Sequence, residues 1–249
     1  MTQLLLRWFL VFALVLPTVA LAQEVEVIEL ELDNGLTVLL VPRSGDPNIA
    51  AGWVAKVGSV YERPGITGVA HLFEHMMFKG THSIGTKDIG QDLEIIEQLD
   101  GIRKEIQDEE IELERAYQLG QIDDPNDPVA RSTRHQELLA TFDELLARQS
   151  ELVIKEDFSR IYTGQGASGM NAGTSYDFTF YFVNVPANKL ELWFWMESDR
   201  LANPVFREFY SERDVVHEER RLRTDSTPIG KFQEQFDAMF WESSPYGWP

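Results

Sequence analysis

The 249-residue sequence contains no cysteine. No disulfide can staple the chain, and a lipid anchor on an N-terminal cysteine is excluded. Stability must come from a packed core, with a bound metal ion as a second source. Basic residues are scarce, 22 Lys and Arg against 41 Asp and Glu, for a formal net charge of -19. That balance speaks against a nucleic-acid partner and fits a well-solvated surface. Beyond the N-terminus no stretch is apolar enough to cross a bilayer, and no internal repeat is visible. What is present, 43% hydrophobic and 11% aromatic residues, suffices for one sizeable core or two small ones.

The first residues place Arg7 before an apolar run from Trp8 to Val19, followed by Ala20-Leu21-Ala22. This pattern predicts a secretory signal peptide over 1–22, cut before Gln23, and hence an exported protein, periplasmic or secreted, with no membrane span after cleavage. The run is short and carries Pro17, which argues against a permanent anchor. Removing it with its single Arg7 leaves 41 acids against 21 bases, a net charge of -20.

Between residues 25 and 57, VEVIELEL, the turn Asp33-Asn34-Gly35, LTVLLV and IAAGWVAKV predict a β-hairpin and a further strand. A first helix is expected at about Thr67 to Lys79, after the Pro64-Gly65 turn and before Gly80. Residues 85–155 are rich in Glu, Gln, Leu and Ile and are interrupted by GQIDDPNDP at 120–128. Apolar residues Ile102, Ile106, Leu113 and Tyr117 on one side, and Leu138, Phe142, Leu145 and Leu152 on the other, predict two antiparallel helices zipped along those stripes. GQGASGMNAGTSYD reads as a glycine-rich loop leading into the strand FTFYFVNV, which Pro186 ends. KLELWFWMESDRL and FREFYSERDVVHEERRLR read as two further helices. The order implies an α+β fold, a mixed or antiparallel sheet with helices packed on one face.

His71-Leu72-Phe73-Glu74-His75 lies inside the first predicted helix. Side chains four apart share a helix face, so His71 and His75 can turn their imidazoles toward one metal ion, with Glu74 within reach of a water on it. Zinc suits two imidazoles, and a catalytic zinc site uses three protein ligands while keeping a position open for water, whose pKa falls to about 7. A carboxylate beside it can take that proton as the water attacks a peptide carbonyl. A structural zinc site is usually closed by four protein ligands, often cysteines, and this chain has none.

A third ligand is expected from the helix holding Glu212, Glu218 and Glu219. Glu212 and Glu219 are seven apart, two turns along one face, and Glu218 points about a quarter turn away. We take Glu219 as the ligand and Glu212 as the neighbour that orients the site, although spacing alone does not separate Glu218 from Glu219. His217 diverges in direction from Glu219, and His82 and His135 have no supporting context.

These residues resemble the insulinase and pitrilysin peptidases, the inverted zincins marked by H-x-x-E-H. The resemblance extends to Asp33-Asn34-Gly35-Leu36, Gly68-Val69-Ala70 and Met76-Met77-Phe78-Lys79-Gly80-Thr81. Asn171-Ala172-Gly173-Thr174 with Asp177, Thr179 and Tyr181 looks like the next family strand, and Glu212 to Glu219 like the glutamate-ligand helix. It implies a zinc endopeptidase or oligopeptidase holding one zinc per chain through His71, His75 and Glu219, with Glu74 as general base. It further implies that Asn171 and Ala172 contact an extended peptide or unfolded protein substrate added as a β-strand; a turn-shaping Asn171 is the plainer reading.

Two departures stand out. His75 to Glu219 is 219 minus 75, or 144 positions, which is long for the family, and the excess matches a helical hairpin inserted at about 100–160. The chain also stops at Pro249, where relatives continue into more sheet and a second homologous half. The expected organisation is therefore a signal peptide over 1–22 and an N-terminal peptidase domain over 23–249, incomplete at its C-terminus. It would be completed by a half-domain in the same chain or in a partner subunit. The alternative is a non-catalytic peptide-binding or assembly subunit, against which an intact Glu74 argues.

Overall fold

The computed structural model describes residues 25–248; the expected signal peptide lies outside the described residues. The chain divides into two units at Asp46 and Pro47. The first is the expected β-hairpin, β1 (Ile28–Glu31) paired antiparallel with β2 (Thr37–Leu40) in the register Ile28↔Leu40 to Glu31↔Thr37. Its turn is closed by Gly35 N–H donating to the Leu32 carbonyl at 2.8 Å, and by Leu36 N–H donating to Asn34 Oδ1 at 3.1 Å.

In the second unit β3 (Asn48–Ala55), β4 (Ser168–Thr174) and β5 (Thr179–Pro186) form an antiparallel sheet in the order β3-β5-β4. Residues 168–174 are thus a strand, as the family resemblance implies for Asn171–Thr174, where residue pattern alone gives a glycine-rich loop. Tertiary pairing with β5 overrides the low strand propensity of Gly169 and Gly173, and a register shift between Ser168 and Asn171 absorbs the misfit. Along β5 burial alternates, with Thr179, Tyr181, Val183 and Val185 inward and Phe182 and Asn184 outward.

Onto the inward face pack α4 (Asp157–Gly164) and α5 (Leu190–Ala202). Ile84, Phe158, Tyr162, Val183, Val185 and Met196 form this core, each at most 3% exposed. At about 25 cal/mol per Å² of apolar area, each such side chain contributes about 1.5–3 kcal/mol relative to an exposed one. A polar thread runs through the same layer: Trp53 Nε1 donates to Glu197 Oε2 at 2.7 Å, and Tyr162 hydroxyl donates to Glu197 Oε1 at 2.5 Å. Arg200 lies over the Phe158 and Phe78 rings at 4.3 and 4.9 Å.

The first helix, α1, spans Val69–Met76, shorter at both ends than 67–79. Residues 89–152 form the antiparallel pair α2 (Ile89–Gln118) and α3 (Thr133–Leu152). Asp88 and Ser132 cap them, accepting from Gln91 N–H at 3.1 Å and His135 N–H at 2.9 Å. The apolar seam is densest at the base, where Ile95, Leu99 and Leu145 are buried with Ile102, Phe142 and Tyr210 against them. Toward the loop it thins, and Tyr117 is 47% exposed because only the partner helix is there to cover it. The last helices are α6 (Phe209–Arg220), which runs into a π-helical turn over Arg221–Asp225, and α7 (Pro228–Phe240). The sequence reading did not anticipate α4 or α7. The result is an α+β fold with antiparallel sheets and seven α-helices among the described residues, none long and apolar enough to cross a membrane.

Candidate metal centre

Helix α1 packs against α6 on one side and β4 on the other, so three distant pieces of sequence meet at its polar face. The i, i+4 spacing sets the His71 and His75 rings side by side, Nε2 to Nε2 at 3.2 Å and ring centres 4.7 Å apart. From α6, Glu219 brings one oxygen 3.8 Å from His71 Nε2 and the other 4.0 Å from His75 Nε2. One ligand atom from each residue lies within 4.8 Å of the other two. Three ligand atoms each 2.0–2.1 Å from a tetrahedral ion stand roughly 3.3 Å apart. The trio therefore fits one zinc-sized ion with shifts of under about 1 Å.

Glu212 explains how the imidazoles are oriented. Its Oε1 lies 3.0 Å from His75 Nδ1, and its Oε2 lies 2.5 Å from Lys79 Nζ. The hydrogen bond to His75, then Lys79, holds the Glu212 carboxyl down to about 2, so it is a carboxylate that only accepts. The proton between them sits on His75 Nδ1, which leaves the Nε2 lone pair of the neutral ring facing His71 and Glu219. The same bond raises the His75 pKa. Burial, followed by the neighbouring His75, lowers that of His71 and favours its neutral form.

Glu74 is 9% exposed, and its Oε2 accepts the Thr174 hydroxyl at 2.5 Å. Its carboxylate is close enough to raise the proton affinity of both imidazoles. Glu218 turns away into solvent, where its Oε2 pairs with Arg221 Nε at 2.7 Å. The π-helical turn after α6 brings Arg223 NH1 to 3.4 Å from Glu219 Oε2.

His71, Glu74, His75, Glu212 and Glu219 are thus brought together. His217 and His82 are exposed, and His135 is buried between α2 and α3 with no partner for Nδ1 among the described residues. Asn171 lies exposed on β4, with its Oδ1 accepting from Ala172 N–H at 2.9 Å, and Ala172 is half-buried. Strand β4 is an edge of its sheet among the described residues. Sequence reasoning missed Lys79 and Thr174 as site residues. Both stand in motifs it singled out, but spacing cannot join Thr174 to Glu74 across 100 positions.

Known proteins are similar to this chain in sequence and in fold. The family described as Insulinase (Peptidase family M16) matches residues 37–121, which include His71, Glu74 and His75. An uncharacterized zinc protease of Rickettsia bellii is 44% identical over 66 residues, 26% of this chain and 16% of that protein. Zinc protease PqqE of Helicobacter pylori is 27% identical over 220 residues, covering 87% of this chain and 34% of that protein. The crystal structure of a protease from Helicobacter pylori superposes with a TM-score of 0.58 at 24% identity, over 90% of this chain and 38% of that one. The chain spans about a third or less of the length of these two curated relatives. Over residues 37–121 the chain matches the insulinase family, peptidase family M16, and in sequence and fold it is similar to the N-terminal region of zinc proteases.

Proposed function

We propose that this chain carries the metal-binding and proton-accepting part of an exported zinc peptidase that hydrolyses extended peptides. The observation that carries the reading is the convergence of His71, His75 and Glu219 at 3.2–4.0 Å beside the buried carboxylate of Glu74. His71, His75 and Glu219 hold one zinc per chain. Zinc held there would supply Lewis acidity toward a peptide carbonyl and a water molecule. Glu74 takes the proton from the attacking water and delivers it to the departing amine. Thr174 holds one Glu74 oxygen, so the carboxylate keeps a fixed aim while the other oxygen works. Glu212 keeps the His75 lone pair facing the metal position.

The free edge of β4 offers backbone groups to a peptide lying alongside as an added strand, with Asn171 and Ala172 at the contact. Specificity then follows an extended backbone more than a single side chain. Export to the periplasm or beyond rests on the leader pattern at 1–22, and a second homologous half, in the same chain or a partner, completes the substrate chamber.

The deciving test of the chemistry is Glu74→Gln in the full-length protein. Zinc content stays at one per chain, and cleavage of an unstructured peptide falls by at least about 100-fold. Cleavage at the wild-type rate would remove Glu74 from the mechanism.

A further inference from the structure

Arg207 is wholly buried, two positions before the helix that carries Glu212 and Glu219. Its guanidinium joins three parts of the fold. NH1 donates to the carbonyls of Lys79 at 3.3 Å and Ile84 at 3.1 Å, and NH2 donates to that of Thr81 at 2.6 Å, all in the segment leaving α1. Nε pairs with Asp92, also wholly buried, in the first turn of α2. Gln149, in the last turn of α3, donates to Asp92 at 3.3 Å and accepts the backbone N–H of Glu208 at 3.4 Å.

The backbone around this side chain is tightly packed. A Cβ on Gly80 would stand 2.2 Å from the Ile84 carbonyl oxygen and 2.7 Å from Arg207 NH1, and one on Gly85 would stand 2.7 Å from the Lys79 carbonyl oxygen and 3.3 Å from NH1. The two glycines, both with positive φ, thus let these carbonyls close around the guanidinium. Glu208 itself takes a left-handed conformation, φ 55°, which a non-glycine residue holds only where its surroundings impose it. A second brace lies one turn on. The Tyr210 ring packs on Phe142 of α3 at 5.0 Å, and its hydroxyl donates to Asp100 of α2 at 2.9 Å.

We propose that Arg207 is a positioning residue for the metal centre, and that Asp92 and Gln149 make the base of the α2–α3 pair part of that centre's support. The joint sets the angle at which α6 leaves the segment following α1, and so the distance of Glu219 from His71 and His75. A buried ion pair adds little net stability over an apolar substitute; the role assigned to this one is to hold the elements it links in one arrangement. This inference rests on the ligand set proposed above.

The test is Co2+ titration of the purified chain by visible absorption, with the melting temperature of the metal-free protein read in parallel. Arg207→Lys keeps the charge but loses the fork that reaches three carbonyls. Gln149→Leu, a milder change, keeps the ion pair. Arg134→Ala, on the exposed surface of α3, is the control. The expected result is Co2+ affinity about tenfold weaker with altered absorption for Arg207→Lys, at least threefold weaker for Gln149→Leu, and unchanged for the control. If Arg207→Lys does not fold, Gln149→Leu alone decides. Folded variants that melt lower yet bind Co2+ like wild type would reduce Arg207 to a stabilising residue and overturn the proposal. Wild-type protein that binds no Co2+, or Glu219→Ala that binds it normally, would instead overturn the ligand set.

Discussion

Glu212 touches His75 Nδ1 at 3.0 Å with one oxygen and Lys79 Nζ at 2.5 Å with the other. The carboxylate bridges two residues of one segment, one that faces the metal position and one a turn further on. Its environment holds it ionised down to about pH 2.

A window of stability follows from that bridge. The depressed Glu212 pKa gives a contribution present above its unfolded value of 4.5 and lost as pH falls toward about 2. The raised His75 pKa gives one complete below its unfolded value of 6.5 and lost as pH rises through the folded value. In metal-free protein, the melting-temperature gap between wild type and Glu212→Gln is therefore widest between about pH 4.5 and 6.5. It closes toward pH 2 and narrows only in part on the alkaline side, where the Lys79 contact persists. A gap independent of pH would show that the bridge is not an ion pair.

Metal binding carries the opposite pH sign. The ion competes with the proton on His75, whose pKa is raised, so zinc affinity declines on acidification from a pH above 6.5. Isothermal titration across pH 5.5–8 measures this, and Glu212→Gln moves the decline to lower pH.

Adjacent glutamates separate cleanly. Glu219→Ala lowers zinc affinity by more than the roughly 10- to 100-fold that loss of an outer partner costs. Glu218→Ala, which removes only an exposed pairing with Arg221, leaves it unchanged. Equal losses in zinc content for both variants would return the choice between them to an open question.

Thr174→Val deletes the hydroxyl on Glu74 at nearly constant volume. A hydrogen bond to a charged group is worth about 1.5–3 kcal/mol, so on the proposed mechanism kcat/KM of the full-length protein falls about 10- to 100-fold with zinc content unchanged. Loss of zinc would instead make Thr174 a support of α1.

The clustering of these side chains was legible because its parts are local: His71, Glu74 and His75 share a face through the 3.6-residue period, and Glu212 and Glu219 through a two-turn repeat. The β1–β2 hairpin was legible from alternation and its Asp-Asn-Gly turn. Strand β4 was legible through the family resemblance at Asn171–Thr174 but not through residue pattern, since Gly169 and Gly173 carry no strand preference and the pairing that orders them comes from β5, beyond the turn. Helix α4, only eight residues long, leaves too little periodic signal. The choice between Glu218 and Glu219 needed the direction of α6 against α1. Arg207 gave no signal, because its carbonyl partners and Asp92 lie more than 110 positions away.

Thr86 and Val153 pair as an antiparallel bridge, flanked by Lys87 N–H to the Leu152 carbonyl at 2.9 Å and Ile154 N–H to the Gly85 carbonyl at 3.0 Å. The polypeptide between them leaves and returns at one point. Closing a loop costs only about 0.6 kcal/mol more for each doubling of its length. The distal portion, beyond Ile102 and Phe142 and so beyond the contacts with Tyr210, is thus an exchangeable cassette. A shorter turn, or a folded reporter whose termini lie close together, can take its place without pulling the histidine helix away from the glutamate helix.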